Sequence, residues 1–76
     1  MNWRDYIVAD KEILAGKPVI KGTRLSVQHI LECMAGGYSE QDLLKSFPRL
    51  TPEGIRAALA YAAESVGLEE VVFIGT

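Results

Sequence analysis

Seventy-six residues, 49% of them hydrophobic, make one domain with a thin core. Ten acids against eight lysines and arginines leave a net charge of −2, which argues against strong non-specific nucleic-acid binding by the chain as a whole. One cysteine excludes an intramolecular disulfide, no Cys/His cluster is spaced for zinc, and no segment has the apolar length of a membrane span.

A chain this small with neither staple nor metal is expected to associate, so a homodimer is the default expectation. The opening Met1-Asn2-Trp3-Arg4-Asp5 has no signal-peptide core, and the expected location is cytoplasmic.

Tyr6-Ile7-Val8 is a short β-prone run, and Val19-Ile20 is a second one after a loop over 9–17. Pro18 fixes φ and lacks a donor, so Val19-Ile20 belongs at an edge, with Gly16 and Gly22 supplying positive-φ turns around it. Ser26 is an N-cap for a first helix running to Ala35 and stopped by Gly36-Gly37. Val27, Ile30, Leu31 and Met34 fall on one stripe of it.

Ser39 caps a second helix, with Glu40 and Asp42 in the first turn where the dipole favours anions; it buries Leu43, Leu44 and Phe47 and ends at Pro48. Thr51 and Pro52 open a third helix, and Leu50 can staple onto Ile55. Ile55, Ala58, Leu59, Ala62 and Val66 are its expected inward stripe, and Gly67 its end. The domain is thus 1–67, and 68–76 is an apolar tail or strand.

Charge is unevenly spread. Residues 1–24 carry five cations against three acids, while residues 25–76 carry three against seven. Any phosphate contact is therefore expected to begin at Lys17, Lys21 and Arg24, although Arg24 can equally bond inside the fold, and a solvated charged hairpin is the plain alternative.

The second and third helices, joined by Phe47-Pro48-Arg49-Leu50, form a candidate helix-turn-helix, in which Thr51, Glu53, Gly54, Arg56 and Ala57 would face base edges and Arg49 sits in the turn. One cation and one acid among small side chains make a poor reader, and a bundle using this geometry for packing alone is the competing reading. Gly54 inside the helix points first to tight packing, and second to close approach of a partner.

Tyr61, set among alanines, is a core aromatic or an interface anchor. His29 and Cys33 share a face, but two ligands are no metal site, and no nucleophile, base and orienter assemble from one histidine and one cysteine. The expectation is a non-enzyme without cofactor or small-molecule substrate. Val71-Val72-Phe73-Ile74 is the strongest partner signal, since an exposed apolar strand must pair with something: the N-terminal strands, a second copy or another protein.

The run Gly16-Lys17-Pro18-Val19-Ile20-Lys21-Gly22-Thr23-Arg24, followed by Gly37-Tyr38-Ser39, Phe47-Pro48 and Leu50-Thr51-Pro52-Glu53, resembles the domain of unknown function 433 family over about residues 5–65. The resemblance implies a mainly α, three-helix, homeodomain-like helix-turn-helix bundle behind a short β-strand pair. It further implies a VapB-like antitoxin of a type II toxin–antitoxin pair, partnered by a PIN-like toxin nuclease, with operator DNA as a second partner. The competing classes are a stand-alone helix-turn-helix DNA-binding regulator and a structural dimerisation module.

Overall fold

Three-residue strands, three capped helices and the turns between them account for the chain in a computed structural model that describes residues 1–67. A 3-10 turn over Trp3–Asp5, capped by the Asn2 side chain, precedes β1, Ile7–Ala9. β1 pairs antiparallel with β2, Pro18–Ile20, in the register Ile7 to Ile20, Val8 to Val19 and Ala9 to Pro18. The first strand therefore begins one residue later than the β-prone run suggests.

The N–H of Ile20 points away from β1 and donates to the Leu25 carbonyl at 2.9 Å. Two residues earlier, the nitrogen of Pro18 faces that same side, so its missing donor leaves the β1 ladder intact. Gly22, at φ +80°, takes the third position of the Ile20–Thr23 turn, which a type II turn reserves for a residue with positive φ. The chain then runs back along β2, bridging Ser26 to Val19, and enters α1, Val27–Ala35.

Each helix starts where its cap stands. Ser26 Oγ accepts from the His29 N–H at 3.0 Å, and Thr51 Oγ1 accepts from the Gly54 N–H at 3.0 Å at the head of α3, Pro52–Gly67. α1 ends in a Schellman arrangement, with Tyr38 N–H donating to the Cys33 carbonyl and Gly37, at φ +106°, donating to Met34.

α2, Glu40–Ser46, opens on a reciprocal capping box that the sequence reading reduced to a cap and a dipole. Ser39 N–H donates to Asp42 Oδ2 at 2.9 Å, and Asp42 N–H donates to Ser39 Oγ at 3.1 Å. The Ser39 backbone N–H, then its hydroxyl, then the Lys45 charge hold the Asp42 carboxyl below its ordinary value of about 3.8. A lowered folded-state value means that this stabilisation is present above about pH 3.8 and is lost as pH falls through the lower folded value. Asp42→Asn should therefore melt lower than the parent at neutral pH, and the gap should close below that window. A gap that stays constant with pH would show that the Asp42 charge contributes nothing.

The core gathers Ile7, Val19 and Ile20 from the strands, Val27 and Ile30 from α1, Leu43 from α2, Leu50, and Ile55, Ala57 and Ala58 from α3. Its best-buried large side chains are Ile30, Leu43, Ile55 and Val19. Leu44 and Phe47 are only half-buried.

The expected inward stripe of α3 needs correction. Leu59 is 44% exposed and Val66 61% exposed, whereas Gly54, Ile55, Ala57 and Ala58 are buried. The helix is rotated so that its smallest side chains meet the strands and α1, which permits close backbone approach. Gly54 belongs to this face: a Cβ there would lie 3.2 Å from Leu50 Cδ1 and 3.8 Å from Ile20 Cδ1. Packing, not a ligand, accounts for the glycine.

Candidate partner groove and basic pocket

Two surfaces are built from residues that the sequence keeps far apart. The first is an apolar groove of about 530 Å³ between α1 and the second half of α3. Val27, Leu31 and Ala35 form one wall, and Tyr61, Ala62 and Val66 the other, with Lys17 and Pro18 at the β2 end. Positions 27, 31 and 35 lie four apart, and 62 and 66 lie four apart, so each helix contributes one ridge. Among the described residues the groove is left uncovered because α3 runs on past its last buried residue, Ala58, while α1 stops at Ala35.

Tyr61 is fixed at the edge of this groove by the N-terminal turn. Its ring meets Trp3 edge-on at a centroid separation of 4.8 Å. Trp3 Nε1–H donates to Glu64 Oε2 at 2.9 Å, Arg4 pairs with the same carboxylate at 3.5 Å, and the Arg4 guanidinium lies 4.4 Å from the Trp3 ring centre. The reading of the sequence passed over this cluster. Its signal is a lone tryptophan beside an arginine before the first strand, since a Trp body is rarely left in water.

The second surface is a pocket of about 350 Å³ between the turn at Thr23–Leu25 and the α2–α3 linker. Leu25, Phe47, Pro48 and Leu50 floor it, Arg24 and Arg49 line it, and among the described residues no acidic side chain does. Thr23 is tied down, donating its hydroxyl to the Ile20 carbonyl at 2.7 Å and accepting from the Leu25 N–H at 3.0 Å. Among the described residues neither Arg24 nor Arg49 is in an ion pair. Two guanidiniums over an apolar floor suit an anion with planar or apolar parts.

The candidate nucleic-acid residues therefore divide. Arg24 and Arg49 come together. Lys17 sits at the apolar groove, and Lys21 is exposed just past β2, with its N–H donating to the Tyr6 carbonyl. Thr51 spends its oxygen as a helix cap, and Arg56 pairs with Glu53 at 3.3 Å along the same helix. The first turn of α3 thus presents side chains already engaged with each other.

His29 is exposed, with Nε2 3.7 Å from Cys33 Sγ and its ring edge-on to Phe47. The expected partner residues Val71, Val72, Phe73 and Ile74 lie outside the described residues. No helix among the described residues is long and apolar enough to cross a membrane.

Comparison with known proteins places these surfaces in a family context. The sequence profile described as "Protein of unknown function (DUF433)" matches residues 7–62. An uncharacterised protein, y4eO, from Sinorhizobium fredii is 37% identical over 59 residues, covering 78% of this chain but 27% of its own length. The chain thus spans about a quarter of that relative. The crystal structure of a DUF433 member from Anabaena variabilis superimposes with a TM-score of 0.79 at 25% identity, covering 84% of this chain and 63% of the other.

Proposed function

This chain belongs to the DUF433 family of proteins of unknown function, and on that premise we propose that it is the antitoxin of a type II toxin–antitoxin pair. It neutralises a PIN-like nuclease by protein contact, as a cytoplasmic homodimer without catalytic activity of its own. One observation carries the reading. Val71–Ile74 is the most apolar run of the chain, and an apolar, β-prone run calls for something to pair with. In this reading a partner protein supplies that pairing, and Glu69-Glu70 before the run suits the basic approach to a nuclease cleft.

The test is co-expression with the adjacent reading frame. A small nuclease encoded there should co-purify with this chain, and its growth arrest should be relieved. Deletion of residues 68–76 should abolish both while leaving the melting temperature of the free domain within a few degrees. Unrelieved arrest with the full chain, from a nuclease that purifies separately, would sink the reading. Light scattering of the free chain at micromolar concentration should give about twice 8.3 kDa, and a monomer throughout would remove the dimer.

The basic pocket favours a second reading, a helix-turn-helix regulator that grips phosphate with Arg24 and Arg49. Each phosphate neutralised contributes about 0.9 to the slope of log affinity against log salt, so Arg24→Ala with Arg49→Ala should lower the slope by about 2. An unchanged slope in this double variant, with loss on Lys17→Ala and Lys21→Ala, would move the contact to the hairpin.

A further inference from the structure

We propose that the basic pocket binds a nucleoside monophosphate, either free or as the phosphorylated end of a single strand. This goes beyond the regulator reading, in which the same arginines hold the backbone of a duplex. A duplex can satisfy both arginines with successive phosphodiesters, but its bases stay stacked inside the helix and leave the apolar floor uncovered. A phosphate monoester instead brings close to two negative charges on one group at neutral pH, which matches Arg24 and Arg49 together. Its unstacked base supplies the flat apolar body that the floor of Leu25, Phe47, Pro48 and Leu50 can cover.

Both arginines are presented from turns that are already tied. Leu50 N–H donates to the Phe47 carbonyl at 2.9 Å, closing a turn with Pro48 at its second position and Arg49 at its third. Thr23 N–H donates to the Ile20 carbonyl at 3.0 Å, and the Thr23 hydroxyl accepts from the Leu25 N–H, so the backbone is pinned on both sides of Arg24. Little backbone order remains to be imposed when a ligand arrives, and little binding free energy is lost to imposing it.

The floor is held as well. Leu50 is buried in the core, and Leu25 and Phe47 pack against it. Phe47 is the aromatic of this lining, and bases of any kind stack on aromatic side chains. Ser46 adds a hydroxyl donor to the lining. The pocket lies just before α3 begins at Pro52, so the positive end of that helix dipole adds to the attraction for an anion. A volume of about 350 Å³ stands at the lower end of the range for small-molecule sites, which suits one nucleotide.

The experiment titrates the isotopically labelled full chain with adenosine monophosphate and follows the amide shifts of Thr23, Arg24, Leu25, Arg49 and Leu50. These should move together and saturate, with adenosine monophosphate binding at least about tenfold tighter than inorganic phosphate or adenosine alone. Arg24→Gln and Arg49→Gln should each weaken it about tenfold, while the Leu43 methyl shifts keep their folded dispersion. The two variants sit on separate turns, so a local disturbance in one leaves the other decisive. A single strand with a terminal phosphate that binds tighter than free adenosine monophosphate makes a strand end the source, and equal affinity makes it the free nucleotide. Adenosine monophosphate binding no tighter than inorganic phosphate overturns the proposal, as does unchanged affinity in both variants. Tighter binding of phosphotyrosine overturns it too, since the partner would then be a phosphopeptide. So does a blunt duplex without terminal phosphates that moves the same amides at lower concentration, a result that would uphold the regulator reading instead.

Discussion

Leu43→Ala is expected to destabilise the domain by about 3 kcal/mol, which for a chain of this length lowers the melting temperature by roughly 15 °C. Leu43 is fully buried at the junction of the three helices. α2 has only seven residues, too few to hold a helix in water by propensity, so its persistence depends on the side chain it buries. Truncation removes the transfer free energy of three carbons and leaves a cavity walled by the neighbouring helices.

The informative control is Leu59→Ala. Leu59 is 44% exposed, so the same chemical change there should cost under about 1 kcal/mol. Thermal melts of the two variants read the orientation of α3 directly. Equal losses would mean that Leu59 faces the core after all.

Trp3→Ala should cost about 2 kcal/mol, although Trp3 precedes the first strand and is not part of the buried core. The ring packs edge-on against Tyr61, carries Arg4 against it and donates to Glu64, so one truncation releases three side chains of α3 and the N-terminal turn. Trp3→Phe should recover about half of the loss, keeping the aromatic contact and giving up the hydrogen bond. Glu64→Ala should cost much less than Trp3→Ala, because its bonds lie in water. Denaturant titration of the three variants separates packing from the polar contacts. A Trp3→Ala variant as stable as the parent would show that the turn contributes nothing.

Much of the fold was legible because local chemistry and tertiary structure agree at the helix starts. Ser26, Ser39 and the Thr51-Pro52 pair stand where the helices begin, and Gly37 takes the left-handed residue that ends α1. Gly16 and Gly22 both have the positive φ expected of them. The loop goes further, since Leu14 and Ala15 share that left-handed geometry, which nothing in their side chains announces.

The face of α3 was not legible for a definite reason. Ala57, Ala58, Ala60, Ala62 and Ala63 carry almost no contrast in hydrophobicity, so Leu59 and Val66 dominate the pattern and pull the apparent stripe toward themselves. The actual face is chosen by what packs on it: Leu50 and Ile20 against Gly54, and Trp3 against Tyr61. Both surfaces were hidden in the same way. Arg24 and Arg49 are 25 positions apart, and the walls of the groove come from helices separated by α2. Neither adjacency can be read until the turn and the rotation of α3 are fixed.

The bond between Trp3 and Glu64 joins residues 61 positions apart. A ribosome adding about 5–20 residues per second needs several seconds to pass from one to the other. During that interval β1 and β2 can meet, but a two-stranded pair is marginal alone and the helix that closes over it does not yet exist. Completion of this domain is therefore an event that follows synthesis of α3. How long the nascent strands stand open to proteases and to one another is set by the pace of translation as much as by the stability of the finished fold.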